Sequence, residues 1–290
     1  MTKIGFIGLG NMGAKMAKNL LNANYEVMGY DINEDFVNKL LPIGLIKAAS
    51  LDDISEEIDV VITMLPNGNI VEKVYDNIID KFKPNTLFVD CSTIDVNKAK
   101  DLHKKCEFKN ILSLDAPVSG GVGGAEHATL TFMVGGTENA YKKMLPFFEI
   151  MGKKSLLCGS AGSGQATKAC NNMLLATTMI GVGEAFSLGH NLGLDPEKLF
   201  EILSTSTGSC WAINSYCPVK SVGPKSPADN DFKPGFSADL MLKDLTIALK
   251  AIEDTNTSAP FGKNAQENFK KMVNQNQGYL DFSAVTIFNK

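Results

Sequence analysis

Short apolar runs alternate with helix-period stretches along the first half of the chain. "IGFI" (4–7), the core of "DVVITMLP" (59–66) and that of "TLFVDCST" (86–93) are nearly unbroken apolar runs. Runs of that length bounded by turn residues predict parallel strands buried on both faces. Between them, Met12, Met16 and Leu20 recur on one helical face, and residues 69–82 carry a second helical stretch. The pattern changes after "GSAGSG" (159–164). From Gln165 to about Leu192 the chain predicts a single helix about 40 Å long. It is apolar nearly all round, so it is expected to run through the middle of its domain and against another subunit. Residues 195–275 keep a helical period, broken by "TGSCWAINSYCPVKSVGPKSPADNDFKPG", which holds several prolines and Trp211, the sole tryptophan. A segment of that kind is either functional or mobile. A further helix has "LMLKDLTIALKAI" at its head. The pattern therefore predicts an α/β domain over 1–163 and an all-α domain over 164–290, entered through a long helix.

The first strand ends in G-x-G-x-x-G, formed by Gly8, Gly10 and Gly13 with Leu9, Asn11 and Met12 between them. Gly8 makes the tight turn and Gly10 lets the backbone approach a pyrophosphate. Gly13 permits close helix–strand packing, and the helix N-terminus faces the anion. The second strand, in "YEVMGYD", ends in Asp31, eighteen residues beyond Gly13. An acid there accepts hydrogen bonds from ribose hydroxyls and repels a 2′-phosphate. The first domain is thus expected to be a Rossmann dinucleotide-binding domain with NAD as its cofactor. Leu65, Pro66 and Thr93 follow further strands, where loops line the cofactor crevice, and are expected to contact the cofactor.

Composition narrows the chemistry. The chain has 290 residues, a formal charge of −4 and no basic run, which argues against a nucleic-acid surface. All 28 basic residues are lysine. A carboxylate must therefore be held by lysine, amides, hydroxyls or backbone N–H groups, and the absent guanidinium favours NAD over NADP. Six cysteines without a C-x-x-C pair and three scattered histidines suggest no metal site and reduced, structural thiols. The longest uncharged stretch, "ACNNMLLATTMIGVG", is too short and too polar for a membrane span. Residues 1–7 lead straight into a strand pattern, so no targeting segment is expected in this chain.

Two stretches carry candidate substrate chemistry. "SGG" at Ser119, Gly120 and Gly121 reads either as a turn or as a carboxylate cradle of one hydroxyl and unshielded amides. "GQATKACNN" places Lys168 and Asn172 one helical turn apart, at the expected seam of the two domains where ligand sites concentrate. They read either as a solvated polar face or as a converging amine and amide. A dehydrogenase needs a proton acceptor for the alcohol it oxidises. A lysine in a partly dry site beside a positively charged nicotinamide loses part of its preference for the charged form and can serve.

Four blocks in order, "FIGLGNMG", "DAPVSGG", "GQATKACNN" and "LMLKDLTIAL", resemble those of the β-hydroxyacid dehydrogenases over essentially the whole chain. The resemblance implies reversible NAD-dependent oxidation of a short hydroxy acid to its semialdehyde, with Lys168 as acid/base. It implies Ser119, Gly120, Gly121 and Asn172 as substrate contacts, and Thr93 and Lys243 on the cofactor side. It further implies a location in the bacterial cytoplasm or, in a eukaryote, in the mitochondrial matrix; the long apolar helix is what predicts a homo-oligomer, a dimer or a tetramer. One departure stands out: the family's "CW" segment usually has arginine where this chain has Ser209. Two other readings are a semialdehyde reductase of the same family and a non-catalytic dinucleotide sensor; Lys168 speaks against the sensor.

Overall fold

The computed structural model describes residues 2–288. By its internal contacts the chain forms two compact units, Met1–Lys168 and Ala169–Lys290. The first unit is built on one nine-stranded sheet. Its leading part alternates β1 (Lys3–Ile7), α1 (Gly13–Asn22), β2 (Glu26–Tyr30), α2 (Glu34–Asn38), β3 (Ile46–Lys47) and β4 (Val60–Thr63). Then follow α3 (Gly68–Ile78), β5 (Leu87–Asp90), α4 (Val96–Phe108) and β6 (Leu112–Asp115). These strands are parallel in the order β3-β2-β1-β4-β5-β6. The sheet continues through β7 (Val118–Ser119), α5 (Gly121–Glu126), β8 (Leu130–Gly136), α6 (Glu138–Met151) and β9 (Gly152–Gly159). There β8 runs antiparallel to β6 and β7 and parallel to β9.

The strand residues sort by the two-residue period of a pleated strand. Ile4, Phe6, Val60, Ile62, Leu87 and Val89 join one buried cluster with Met16, Ala17 and Leu20 of α1 and with Phe147, Phe148 and Met151 of α6. Ile7, Val61 and Phe88 join a second cluster with Val71, Val74 and Ile78 of α3 and with Ala99 and Leu102 of α4. Both faces are covered by helices, which is why the strands read as continuous apolar runs.

The long helix α7 spans Ser163–Asn191, two residues earlier at its start than the sequence suggests. The second unit continues through α8 (Pro196–Thr205), α9 (Trp211–Asn214), α10 (Ala238–Asp254), α11 (Pro260–Asn274) and α12 (Val285–Phe288). Met179, Val182 and Phe186 of α7 pack with Met241 and Leu245 of α10 and with Phe269 and Met272 of α11. The proline-rich segment before α10 is held by Asp281, which is wholly buried. Its carboxylate accepts the Tyr216 hydroxyl at 3.0 Å and the backbone N–H groups of Gly235 at 3.0 Å and Phe236 at 3.2 Å. Trp211, Tyr216 and Phe282 stack in sequence beside it.

Candidate active site

Parallel pairing brings the dinucleotide residues to one edge of the first unit, because every parallel strand ends on the same side. Gly8 follows β1, Asp31 follows β2, Leu65 and Pro66 follow β4, and Thr93 follows β5. Gly8 has φ +95° and donates to Tyr30 O at 2.9 Å, which starts the turn on the strand. A Cβ at Gly13 would collide with the carbonyl oxygen of Gly8, so the crossing of turn and helix tolerates only glycine. A Cβ at Gly10 would meet nothing within 4 Å, leaving that face of the loop open.

The electrostatics of this edge suit a dinucleotide. Asp31 accepts the Leu9 N–H at 2.7 Å and the Asn33 N–H at 2.8 Å, so its carboxylate is fixed against the glycine loop. Helices α3 and α4 are capped by the side chains of Asn67 and Asp95. The start of α1 carries no side-chain cap, which leaves its positive end suited to an anion. Bare backbone at Gly10, an uncapped helix start and a fixed carboxylate at the end of β2 fit the pyrophosphate and ribose of NAD.

The helix that carries Lys168 is registered by two buried residues. Asp115, at the end of β6, accepts the Gly162 N–H at 2.8 Å and the Gln165 N–H at 2.9 Å, a carboxylate on the positive end of α7. His103 Nε2 lies 2.9 Å from Asp115 Oδ1, and His103 Nδ1 lies 2.7 Å from Ser113 Oγ. Gly164 lets this approach happen, since a Cβ there would strike the backbone oxygens of Met133 and Asp115. The Gln165 side chain reaches the turn after β5, where its Nε2 donates to Ser92 O at 2.7 Å and its Oε1 accepts the Ile94 N–H at 3.0 Å. Ser92 in turn accepts the Leu65 N–H at 2.9 Å.

Lys168 is 7% exposed and Asn172 2% exposed, so neither belongs to a solvated face of α7. The Asn172 amide donates to Asp244 Oδ2 at 2.5 Å and accepts from Asn171 Nδ2 at 2.9 Å. Asp244, on α10, is itself buried, and Lys243 Nζ lies 3.6 Å from its other oxygen. One N–H of the Asn172 amide is thereby occupied, and the second points elsewhere by the planar geometry of the group. Lys243 and Asn172, both expected from the sequence, are thus joined through an acid that sequence reasoning missed. A signal was present: Asp244 falls on the same helical stripe as the buried Met241, Leu245 and Ala248.

Ser119 ends β7, and Gly120 (φ +132°) and Gly121 (φ +62°) turn the chain into α5. Gly120 caps α5 without a side chain, and the helix is tied to α1 by Asn19 Nδ2 donating to Ala125 O at 2.8 Å. Ser209 lies exposed before α9, where its hydroxyl accepts the Asn214 amide at 2.9 Å. All six cysteines are free thiols. Among the described residues, no helix is long and apolar enough to cross a membrane.

Residues 3–160 match the family profile of the NAD-binding domain of 6-phosphogluconate dehydrogenase. Residues 162–288 match the family profile described as NAD-binding of NADP-dependent 3-hydroxyisobutyrate dehydrogenase. The chain is 46% identical over 285 residues to a probable 3-hydroxyisobutyrate dehydrogenase of Mycobacterium tuberculosis, covering 98% of this chain and 97% of that one. It is 45% identical over 283 residues to the mitochondrial 3-hydroxyisobutyrate dehydrogenase of Drosophila melanogaster, covering 97% and 87%. The solved structure of Mycobacterium tuberculosis 3-hydroxyisobutyrate dehydrogenase with L-serine superposes at a TM-score of 0.96 and 46% identity, covering 100% of this chain and 99% of that one.

Proposed function

The chain belongs to the family of 3-hydroxyisobutyrate dehydrogenases, and from that premise we propose that it oxidises 3-hydroxyisobutyrate reversibly to methylmalonate semialdehyde, a step of valine catabolism. It is an oxidoreductase that uses NAD. The preference over NADP rests on the Asp31 carboxylate and on a chain without arginine. Held by the Gly8–Gly13 turn and Asp31, NAD would supply the hydride acceptor for the carbinol carbon.

The residues of the chain supply the rest. Lys168 takes the hydroxyl proton as the carbonyl forms and returns it in the reverse direction. The second N–H of the Asn172 amide, oriented by Asp244, and the Ser119, Gly120 and Gly121 turn hold the substrate carboxylate by hydrogen bonds, without a guanidinium. Asp115 and Gln165 set the start of α7, and so the place of Lys168 one turn further on. The L-serine in the relative's structure shares the HOCH₂–CH–COO⁻ frame of 3-hydroxyisobutyrate, which supports a short 3-hydroxy acid as substrate.

The observation that carries this reading is the burial of Lys168 one turn from a pinned Asn172. Lys168→Ala is expected to lower kcat by about 10²–10⁴-fold, the usual worth of a general acid/base, with NADH affinity unchanged. Turnover retained in that variant sinks the assignment. Rates on (S)-3-hydroxyisobutyrate, D-glycerate, 3-hydroxypropionate and 4-hydroxybutyrate test the substrate. A better rate on one of the others moves the specificity to a sister enzyme, with Ser209 the first residue to examine.

The exposed Leu174 and Leu188 of α7 and Ile202 of α8 support contact with a second copy of the chain. A monomer by light scattering at working concentration refutes that part. We place it in the bacterial cytoplasm or, for a eukaryotic source, in the mitochondrial matrix; the mitochondrial relative of Drosophila melanogaster supports the second location, and fractionation of the source cell tests both.

A further inference from the structure

We propose that Gln165 is a positioning residue for the cofactor, its side-chain amide fixing the Thr93 turn against the first turn of the Lys168 helix. This rests on the reading of Thr93 as a cofactor contact. Glutamine is seldom fully buried, and a buried primary amide is unfavourable unless its polar atoms are paired. Gln165 is 1% exposed, and its amide is used on both sides. It donates to Ser92 O at 2.7 Å and accepts the Ile94 N–H at 3.0 Å, the backbone groups on either side of Thr93. The amide therefore acts on this turn as a neighbouring strand would, across a separation of 71 residues from Ile94.

The same residue is fixed at its other end. Its own N–H is received by Asp115 Oδ2 at 2.9 Å, beside the Gly162 N–H on Oδ1 at 2.8 Å. Carboxylate, helix start, amide and turn form one chain of buried hydrogen bonds that ends at Thr93. Lys168 lies three residues along the same helix, about 4.5 Å further on. Any slack at Gln165 thus changes the distance between the turn that faces the cofactor and the amine that takes the proton. Hydride transfer is sensitive to displacements of about 1 Å, so the clamp contributes to rate as well as to cofactor affinity.

Gln165→Met keeps the length of the side chain and removes both hydrogen bonds. NADH affinity by fluorescence, KM for NAD⁺, kcat and the thermal midpoint are read together, with Thr93→Ala as the companion variant. The proposal expects NADH binding and KM for NAD⁺ to worsen about tenfold, the scale of a lost hydrogen bond, with kcat reduced severalfold. A lowered thermal midpoint with NADH affinity and kcat within twofold of wild type overturns it, because that is what a purely structural amide would give. Weakened NADH binding in Thr93→Ala together with unchanged binding in Gln165→Met refutes the clamp alone. Unchanged binding in Thr93→Ala refutes the cofactor role of Thr93 on which the proposal stands.

Gln165→Glu supplies the conservative rescue. A protonated carboxyl donates to Ser92 O and accepts from Ile94 N–H as the amide does, whereas an ionised one repels Ser92 O. It faces those two backbone groups after β5 and Asp115 at the end of β6, and burial with that neighbouring charge favours its protonated form. At about pH 5.5 its NADH affinity and rate are expected to lie nearer wild type than those of Gln165→Met; values no better than those of Gln165→Met overturn the proposal.

Discussion

Asp90 is expected to destabilise the fold near neutral pH, and Asp90→Asn to relieve it. The carboxyl ends β5 and is buried. Its Oδ1 accepts the Thr63 hydroxyl at 2.8 Å and the Ser92 N–H at 3.1 Å. Among the described residues, its Oδ2 is a buried oxygen without a partner. The cavity shared by Asp90, Tyr75, His103 and Asp115 has a volume of about 10 Å³, room for at most one water. Burial raises the Asp90 pKa from 3.8 to about 6; hydrogen bonds from Ser92 and Thr63 oppose the rise, and the Asp115 charge adds to it. The difference, 6 − 3.8, is about 2.2 pH units, or about 3 kcal/mol at 1.36 kcal/mol per unit. Below the unfolded value both states hold the proton and the penalty is absent. It grows as pH rises through the interval and is complete above the folded value. Nearly half of it, on the order of 1 kcal/mol, falls between pH 5 and pH 8 by the same linkage. Urea unfolding of wild type and Asp90→Asn at both pH values isolates this quantity. Steric and hydrogen-bond differences enter as a constant offset, whereas the gap between the proteins should widen in favour of the variant at pH 8. A gap independent of pH would falsify the reasoning.

Asp31→Asn keeps an acceptor for the Leu9 N–H but removes the charge, so the NAD⁺/NADP⁺ ratio of kcat/KM is expected to fall about tenfold; an unchanged ratio places the discrimination elsewhere. Asp244→Ala releases Asn172 and leaves its buried amide short of a partner. KM for the hydroxy acid should rise about tenfold, and the helical unit should lose about 1–3 kcal/mol by denaturant titration; an unaltered KM refutes the orienting role.

Much of the first unit is legible in the sequence because its signals are local. A strand buried on both faces must be apolar throughout, so "IGFI" and "VVIT" announce themselves. The glycine turn is just as plain, since Gly8 needs a positive φ and Gly13 sits against Gly8's own backbone. The late strands β7, β8 and β9 are not, because the glycines of 120–136 read equally as turns or as a ligand cradle. Their pairing is antiparallel in part, and the β8–β9 register shifts twice, which breaks the two-residue period a strand would show. The segment around Trp211 reads as irregular, and its order comes from Asp281, a residue more than 60 positions away from Tyr216.

The candidate site divides along the same line. The spacing of Lys168 and Asn172, one turn of a helix, and the acid at position 31 are properties of the chain and can be read from it. Whether that helical face is wet or dry is not such a property, because burial depends on what else packs there. The partners that hold the site, Asp115 on the start of α7, Gln165 on the Thr93 turn and Asp244 on Asn172, lie 50, 71 and 72 residues from the groups they bind. The sequence alone determined which groups could do the chemistry. Only the tertiary structure decided which would be buried, paired and held in place, because a hydrogen bond between distant segments exists only once the packing of the whole unit has brought them together.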